Sequence, residues 1–232
     1  MQLLPATLSD AAQLTTLYFA AFSIPLNLAM FPRTPDNRAW WEAFFKAEIE
    51  RMQQGKNKML WKVIDSSAPN AQKEGEEIVA FAMWKLPRHE ADKDDNEDAQ
   101  FPPNGDQNLC QRFFSAMDRN REKYMASRLH YCNYAFLLSR FVRCIQVQCP
   151  VANIIADLEI IATHPAHEGR GFASLLLRWG LQKADDEGLP VFLSASPTGR
   201  VVYERRGFRV VGMEDLTPDY KQAYMVREPT SQ

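Results

Sequence analysis

Leu158-Glu-Ile-Ile-Ala-Thr-His-Pro-Ala-His-Glu-Gly-Arg-Gly-Phe-Ala-Ser-Leu-Leu-Leu177 decides the fold. An apolar strand runs into a turn with two glycines, and the turn opens an amphipathic helix. Such a turn is an anion site. The first helical turn leaves backbone N–H groups unpaired and the helix dipole adds partial positive charge, so a pyrophosphate can dock there without a lysine. Gly169 and Gly171 let a phosphate approach the main chain closely and permit positive φ. Pro165 cannot donate to a ladder and helps end the strand.

Downstream, Leu189-Pro-Val-Phe-Leu-Ser-Ala-Ser196 reads as a second buried strand. A short helix carrying Tyr203-Glu-Arg-Arg-Gly-Phe208 follows, and then the apolar run 208–211. This order resembles the GNAT superfamily of acyl-CoA-dependent N-acyltransferases, whose fingerprint is Gln/Arg-x-x-Gly-x-Gly/Ala followed by a Tyr-Glu-x-x-Gly-Phe segment. Here the first reads Glu168-Gly169-Arg170-Gly171-Phe172-Ala173. The resemblance is specific over residues 158–211; from 1 to 84 only the order of elements matches.

The resemblance implies an α/β fold whose central, mixed but mostly antiparallel sheet has splayed middle strands and is flanked by helices, in a single domain over residues 1–232. It implies acetyl-CoA as cosubstrate and acetyl transfer to a primary amine of a small molecule or protein. The pyrophosphate falls to Glu168, Gly169, Arg170, Gly171, Phe172 and Ala173. Glu168 stands where the family prefers glutamine or arginine; because the family binds coenzyme A largely through backbone amides, weaker binding rather than none is expected. Ile161 and Thr163 are the expected main-chain contacts to pantetheine, and the gap between Thr163 and Ser194 is expected to hold the thioester.

By the same resemblance, Tyr203 matches the tyrosine that protonates the departing sulfur. A phenol with a pKa of about 10 is a donor at neutral pH. The other reading of Tyr203 is an aromatic residue packed between helix and sheet. Acyl transfer also needs an acceptor for the amine proton. Strand alternation places Glu159 with Asp157, Ile161 and Thr163 on one face, which makes Glu159 the best local candidate for that base, with a surface carboxylate as the alternative. His164 and His167 adjoin the turn and read as incidental. Ser194, Ser196 and the start of the helix at Thr198 are placed on the acceptor side. A non-catalytic acyl-CoA-binding or protein-interaction module on the same fold is the competing functional reading.

With 232 residues, 46% of them hydrophobic, the chain can bury one good core. A formal net charge of −2 supplies no basic patch for nucleic acid or a membrane surface. No apolar run long enough to span a bilayer occurs, and the amino terminus lacks the pattern of a signal peptide. The expectation is a cytoplasmic protein, with the nucleus as the alternative, whose four cysteines are reduced. No histidine–cysteine spacing suggests a metal.

Elsewhere the periodicity is helical over residues 11–22 after the cap pair Ser9-Asp10, over 34–54 with Trp40, Trp41, Phe44, Phe45 and Ile49 near one stripe, and over 107–127 with Leu109, Phe113, Phe114 and Met117 on the apolar face. Residues 59–65 and 77–86 alternate as paired strands. The stretch 88–105, with Glu90-Ala-Asp-Lys-Asp-Asp-Asn-Glu-Asp98, is too charged to bury and reads as a disordered acidic loop.

Residues 132–157 do not fit this plan. They contain no glycine, no acid before Asp157 and three of the four cysteines, and they separate His130-Tyr131 from the strand that begins at Leu158. The genetic code permits a specific origin, a translated unspliced intron: Cys132-Asn133 can contain a GTAAC donor, Ala152-Asn153 a CTAAC branch signal and Ala156-Asp157 a CAG acceptor. Joining the flanking bases makes one tyrosine and an uninterrupted strand, His-Tyr-Tyr-Leu-Glu-Ile-Ile. A genuine helical insertion packed on the sheet is the alternative.

Overall fold

A computed structural model describes residues 1–56, 58–65, 77–85, 101–102, 104–125, 130–132 and 155–230. The acidic stretch 88–100, the turn-rich 66–75 and the interior of the anomalous segment, 133–154, lie outside the described residues.

Among the described residues, eight strands form one sheet: β1 (Gln2–Pro5), β2 (Lys58–Ile64), β3 (Ile78–Lys85), β4 (His130–Cys132), β5 (Ile155–Thr163), β6 (Val191–Ala195), β7 (Arg209–Thr217) and β8 (Tyr220–Arg227), in the spatial order β1-β2-β3-β5-β4-β6-β8-β7. All pairings are antiparallel except those of β4, which lies parallel to β5 on one side and to β6 on the other. His130-Tyr131 therefore sits beside Ile155-Ala156, not end to end with Leu158.

Helices cover both faces: α1 (Ala11–Ala21), α2 (Pro25–Met30), α3 (Pro35–Gln53), α4 (Gln107–Met125), α5 (Phe172–Asp186) and α6 (Arg200–Glu204). On one face the aromatic stripe of α3 packs with α1, α4 and the strands; Trp41, Phe44, Phe45 and Ile49 are buried and Trp40 is half-buried. On the other, Leu176, Leu177 and Leu181 of α5 meet Val79, Ala82 and Trp84 of the sheet. Each large apolar side chain so buried contributes about 1.5–3 kcal/mol, which makes these two layers the main source of stability.

The caps explain where the helices start. Thr34 accepts a hydrogen bond from the Asn37 N–H at 3.3 Å, and Pro35 fills the first turn of α3, where no N–H is needed. At α1 the N-cap is Asp10 of the expected pair, but its carboxylate turns back to Thr7 instead of capping the helix. Thr7 precedes a short 3-10 turn (Leu8–Asp10), and its N–H donates to the Asp10 carboxylate at 2.6 Å. The acid three residues after the cap is what holds this start. Helix α5 is tied to β8 by two parallel bonds from Arg227 to Asp185, at 2.8 and 2.7 Å.

Candidate active site

Strand β4 joins β5 to β6 at one end only, through Ile155 and Ala156 on β5 and through Val191 and Phe192 on β6. Beyond that end, no described strand lies between β5 and β6. A cavity of about 740 Å³ fills the gap and reaches both faces of the sheet. Its lining includes Glu159, Ile161 and Thr163 from β5, Ala173 and Leu177 from α5, Ser194 from β6 and Tyr203 from α6.

At the carboxyl end of β5, a 3-10 turn (Pro165–His167) leads into the glycine turn, and the His164 Nδ1 accepts the Ala166 N–H at 3.2 Å. Gly169 and Gly171 adopt φ of 75° and 86°. A Cβ built on either meets nothing within 4 Å, so positive φ, not crowding, is what requires glycine, and open space lies before the main chain. Gly171 is the N-cap of α5 and receives no side-chain cap. Glu168 is exposed, so its charge is turned to solvent. Phe172 is buried and anchors the helix start. Arg170 forms an ion pair with Asp65 at 2.6 Å and approaches the His167 Nδ1 at 3.0 Å. An exposed turn of this kind, opening a helix with empty space where a Cβ on either glycine would lie, fits a pyrophosphate.

Glu159 corrects the face expected from alternation. The ladder between β3 and β5 pairs Met83 with Ile160 but Trp84 with Leu158, so Glu159 is the extra residue of a β-bulge. The bulge turns its side chain away from the face of Ile161, which packs toward α5, and onto the α3 face. There Glu159 pairs with Lys58, whose ammonium also lies 3.0 Å from Glu48 Oε2. All three side chains are buried. Burial pushes the Glu159 carboxyl up to about 7 against the pull of Lys58. For Lys58, burial disfavours the charge, but Glu159 and Glu48 outweigh it and raise its pKa.

Tyr203 packs between helix and sheet and also faces the cavity. Its ring packs edge-on against Phe208 at 5.8 Å between centroids, and its side chain lines the cavity. Burial holds the phenol well above its ordinary pKa.

Sequence reasoning missed the contribution of β8. Tyr220 and Gln222 lie on its cavity-facing side, with Asp219 just before them. Burial and the proximity of Tyr203 raise the pKa of Tyr220. One signal was available: Gln222 is a polar residue on a strand whose other interior positions are apolar, and such a residue is buried only with a reason. Buried polar atoms without a partner among the described residues include Glu159 Oε2, Thr163 Oγ1, Ser194 Oγ and Gln222 Oε1, and all four residues line this cavity. Leaving such a group unpaired costs about 1–3 kcal/mol, and a bound ligand can relieve it.

An open sheet gap, a glycine turn at a helix start and a tyrosine over the gap define an acyl-transfer fold of the coenzyme A type. Residues 103–218 match the family model described as "Acetyltransferase (GNAT) domain". The chain belongs to the GNAT family and is an acetyltransferase, with acetyl-CoA as its cosubstrate. No curated protein matches the sequence. Among solved structures, the fold is similar to "histone acetyltransferase HPA2 and related acetyltransferase" from Corynebacterium glutamicum, with a TM-score of 0.56, 20% identity, and coverage of 100% of this chain and 97% of that one. It is also similar to Arabidopsis thaliana NAA60, solved with a bisubstrate analogue (TM-score 0.53, 12% identity, 100% and 99% coverage) and with acetyl-CoA (0.52, 13%, 98% and 97%). These likenesses establish the fold. Among the described residues, no helix is long and apolar enough to cross a membrane, and no cluster of side chains could hold a metal ion.

Proposed function

We propose that the chain transfers the acetyl group of acetyl-CoA to a primary amine by direct attack within the gap between β5 and β6. The observation that carries this reading is the cavity crossing the sheet, because its lining includes both Glu159 and Tyr203. The glycine turn at 168–171 and Ala173 hold the pyrophosphate end, with Phe172 as anchor and Arg170 beside it. The unpaired edge of β5 at Ile161 and Thr163 receives the pantetheine arm.

In the reaction the amine nitrogen bonds to the acetyl carbon and the carbon–sulfur bond breaks. Glu159 takes the amine proton, and a carboxyl with a pKa of about 7 is matched to that task near neutral pH. Tyr203, protonated at neutral pH, gives its proton to the departing thiolate. One domain over residues 1–232 carries this site, since strands from both ends of the chain complete the sheet.

Tyr203→Phe tests the assignment. Turnover is expected to fall about 100-fold while acetyl-CoA still raises the melting temperature. Unchanged turnover would remove Tyr203 from the acid role. Acetyl-CoA binding without turnover on any amine by the unaltered chain would favour a non-catalytic acyl-CoA-binding module.

A further inference from the structure

The chamber on the α4 side of the gap has a composition that acetyl transfer alone does not demand. Phe22, Leu26, Phe31, Phe113, Phe114 and Met117 wall it, a lining that suits an uncharged apolar body. Its ionisable groups are carboxylates and phenols, namely Glu159 and Asp219 with Tyr18, Tyr203 and Tyr220. No lysine, arginine or histidine among the described residues lines the cavity.

Lys58 is shared between Glu159 and Glu48, and Glu48 is also paired with Arg51, so both Glu159 and Glu48 are held from the side away from the chamber. Glu159 Oε2, Ser194 Oγ and Gln222 Oε1 are buried acceptors without a partner among the described residues. They share one side of the sheet: the bulge turns Glu159 there, and alternation places Ser194 with Phe192 and Gln222 with Tyr224, both in the core of that side. The chamber thus joins an apolar body to a spot that accepts N–H donors.

We propose that the acceptor is a primary amine on an uncharged apolar body, an arylalkylamine or alkylamine without carboxylate or phosphate. This rests on the acetyl-transfer reading above. The ammonium loses one proton to solvent before it enters, the free amine gives the second to Glu159 as it attacks, and its body lies against the phenylalanines of α4. A free amino acid would bring a carboxylate to a lining that, among the described residues, holds two carboxylates and no cation. A peptide would bring a run of backbone amides against walls made mostly of phenylalanine, leucine and methionine, more polar groups than the few acceptors there satisfy.

The test measures thiol release from acetyl-CoA by the full chain with 2-phenylethylamine, hexylamine, L-phenylalanine and a short peptide with a free N-terminus. 2-Phenylethylamine and phenylalanine differ only in the carboxylate. The expected kcat/KM favours 2-phenylethylamine over phenylalanine by about 100-fold, the size of an uncompensated like-charge contact. Hexylamine is expected to turn over and the peptide not. Phe113→Ala should raise KM for 2-phenylethylamine about tenfold and leave KM for acetyl-CoA unchanged. Equal or better turnover of phenylalanine or the peptide overturns the acceptor class while leaving acetyl transfer intact. If no amine turns over although acetyl-CoA raises the melting temperature, the acetyl-transfer reading fails and the acceptor class falls with it.

Discussion

The carboxylate of Glu159 on β5 is held by the ammonium of Lys58 on β2, with both side chains buried and β3 lying between their strands. Glu48 on α3 completes the group from the helix layer and also pairs with Arg51. Removing the ammonium leaves two buried carboxylates facing each other, and breaking a buried pair in this way costs about 3–5 kcal/mol. Lys58→Met is expected to lower stability by that order in urea unfolding. A loss below about 1 kcal/mol would show that the group is solvated in the folded protein.

The pH dependence follows from Glu159. Its carboxyl titrates at about 7 in the folded chain against an ordinary 4.5. If it is the base, activity rises with pH through about 7 and then levels. For stability the sign is opposite: the folded state keeps a proton that the unfolded chain has released. The contribution is full below about 4.5 and is lost as pH rises through about 7. Glu159→Gln should lose both the inflection in kcat/KM and this part of the fall in melting temperature between about pH 5 and 8. An unaltered activity profile in the variant would move the base elsewhere.

Gly180 in α5 marks a close packing contact. A Cβ there would lie 2.2 Å from the ring of Trp84, which is fully buried and cannot swing aside. On an open helix face, glycine to alanine gains about 1 kcal/mol. Here overpacking of about 1–3 kcal/mol outweighs it. Gly180→Ala is expected to lower the melting temperature, and pairing it with Trp84→Leu should recover part of the loss. A stabilised single variant would contradict the packing described for this face.

Gly171 is a different case, because space is open around it and only φ is constrained. Gly171→Ala should cost about 1–2 kcal/mol in stability through its left-handed backbone. Its larger effect falls on the turn, where a methyl group would face the pyrophosphate. Thermal-shift titration is expected to show a folded variant that acetyl-CoA no longer stabilises. An undiminished shift would remove this turn from the cofactor site.

For residues 132–157 the proposed origin is a retained intron, and replacing them with one tyrosine tests it. The shortened chain would carry His130-Tyr131-Tyr directly into Leu158, taking the place of residues 155–157 at the start of β5. A larger acetyl-CoA shift in the shortened chain than in the full one is expected if the segment is intronic. Equal shifts in both would make the segment a tolerated insertion, and a mature transcript that keeps these codons would end the intron reading.

The sequence by itself determined the elements whose signals are local. Thr34-Pro35 starts α3 because a cap and a proline act within one turn, and the glycines at 169 and 171 announce positive φ wherever the chain goes. The apolar spacing of α4 reports a buried face without naming its partner, whereas β3 is buried at every position from Ile78 to Trp84 and carries an apolar run in place of an alternation. Tyr203 and the turn at 168–171 were legible because they lie close together in one recognisable order.

What only the tertiary structure decided involves residues far apart in the chain. The bulge that turns Glu159 to Lys58 arises from its register against β3, and no period-two pattern within β5 contains it. Gln222 and Tyr220 reach the cavity because β8 pairs with β6, and Gly180 is needed because Trp84, distant in sequence, packs on it. Hydrogen bonding and backbone conformation act over a few residues and leave a periodic trace in the sequence. Register, bulges and packing depend on which surfaces meet, and that is settled only when the whole sheet closes on its helices.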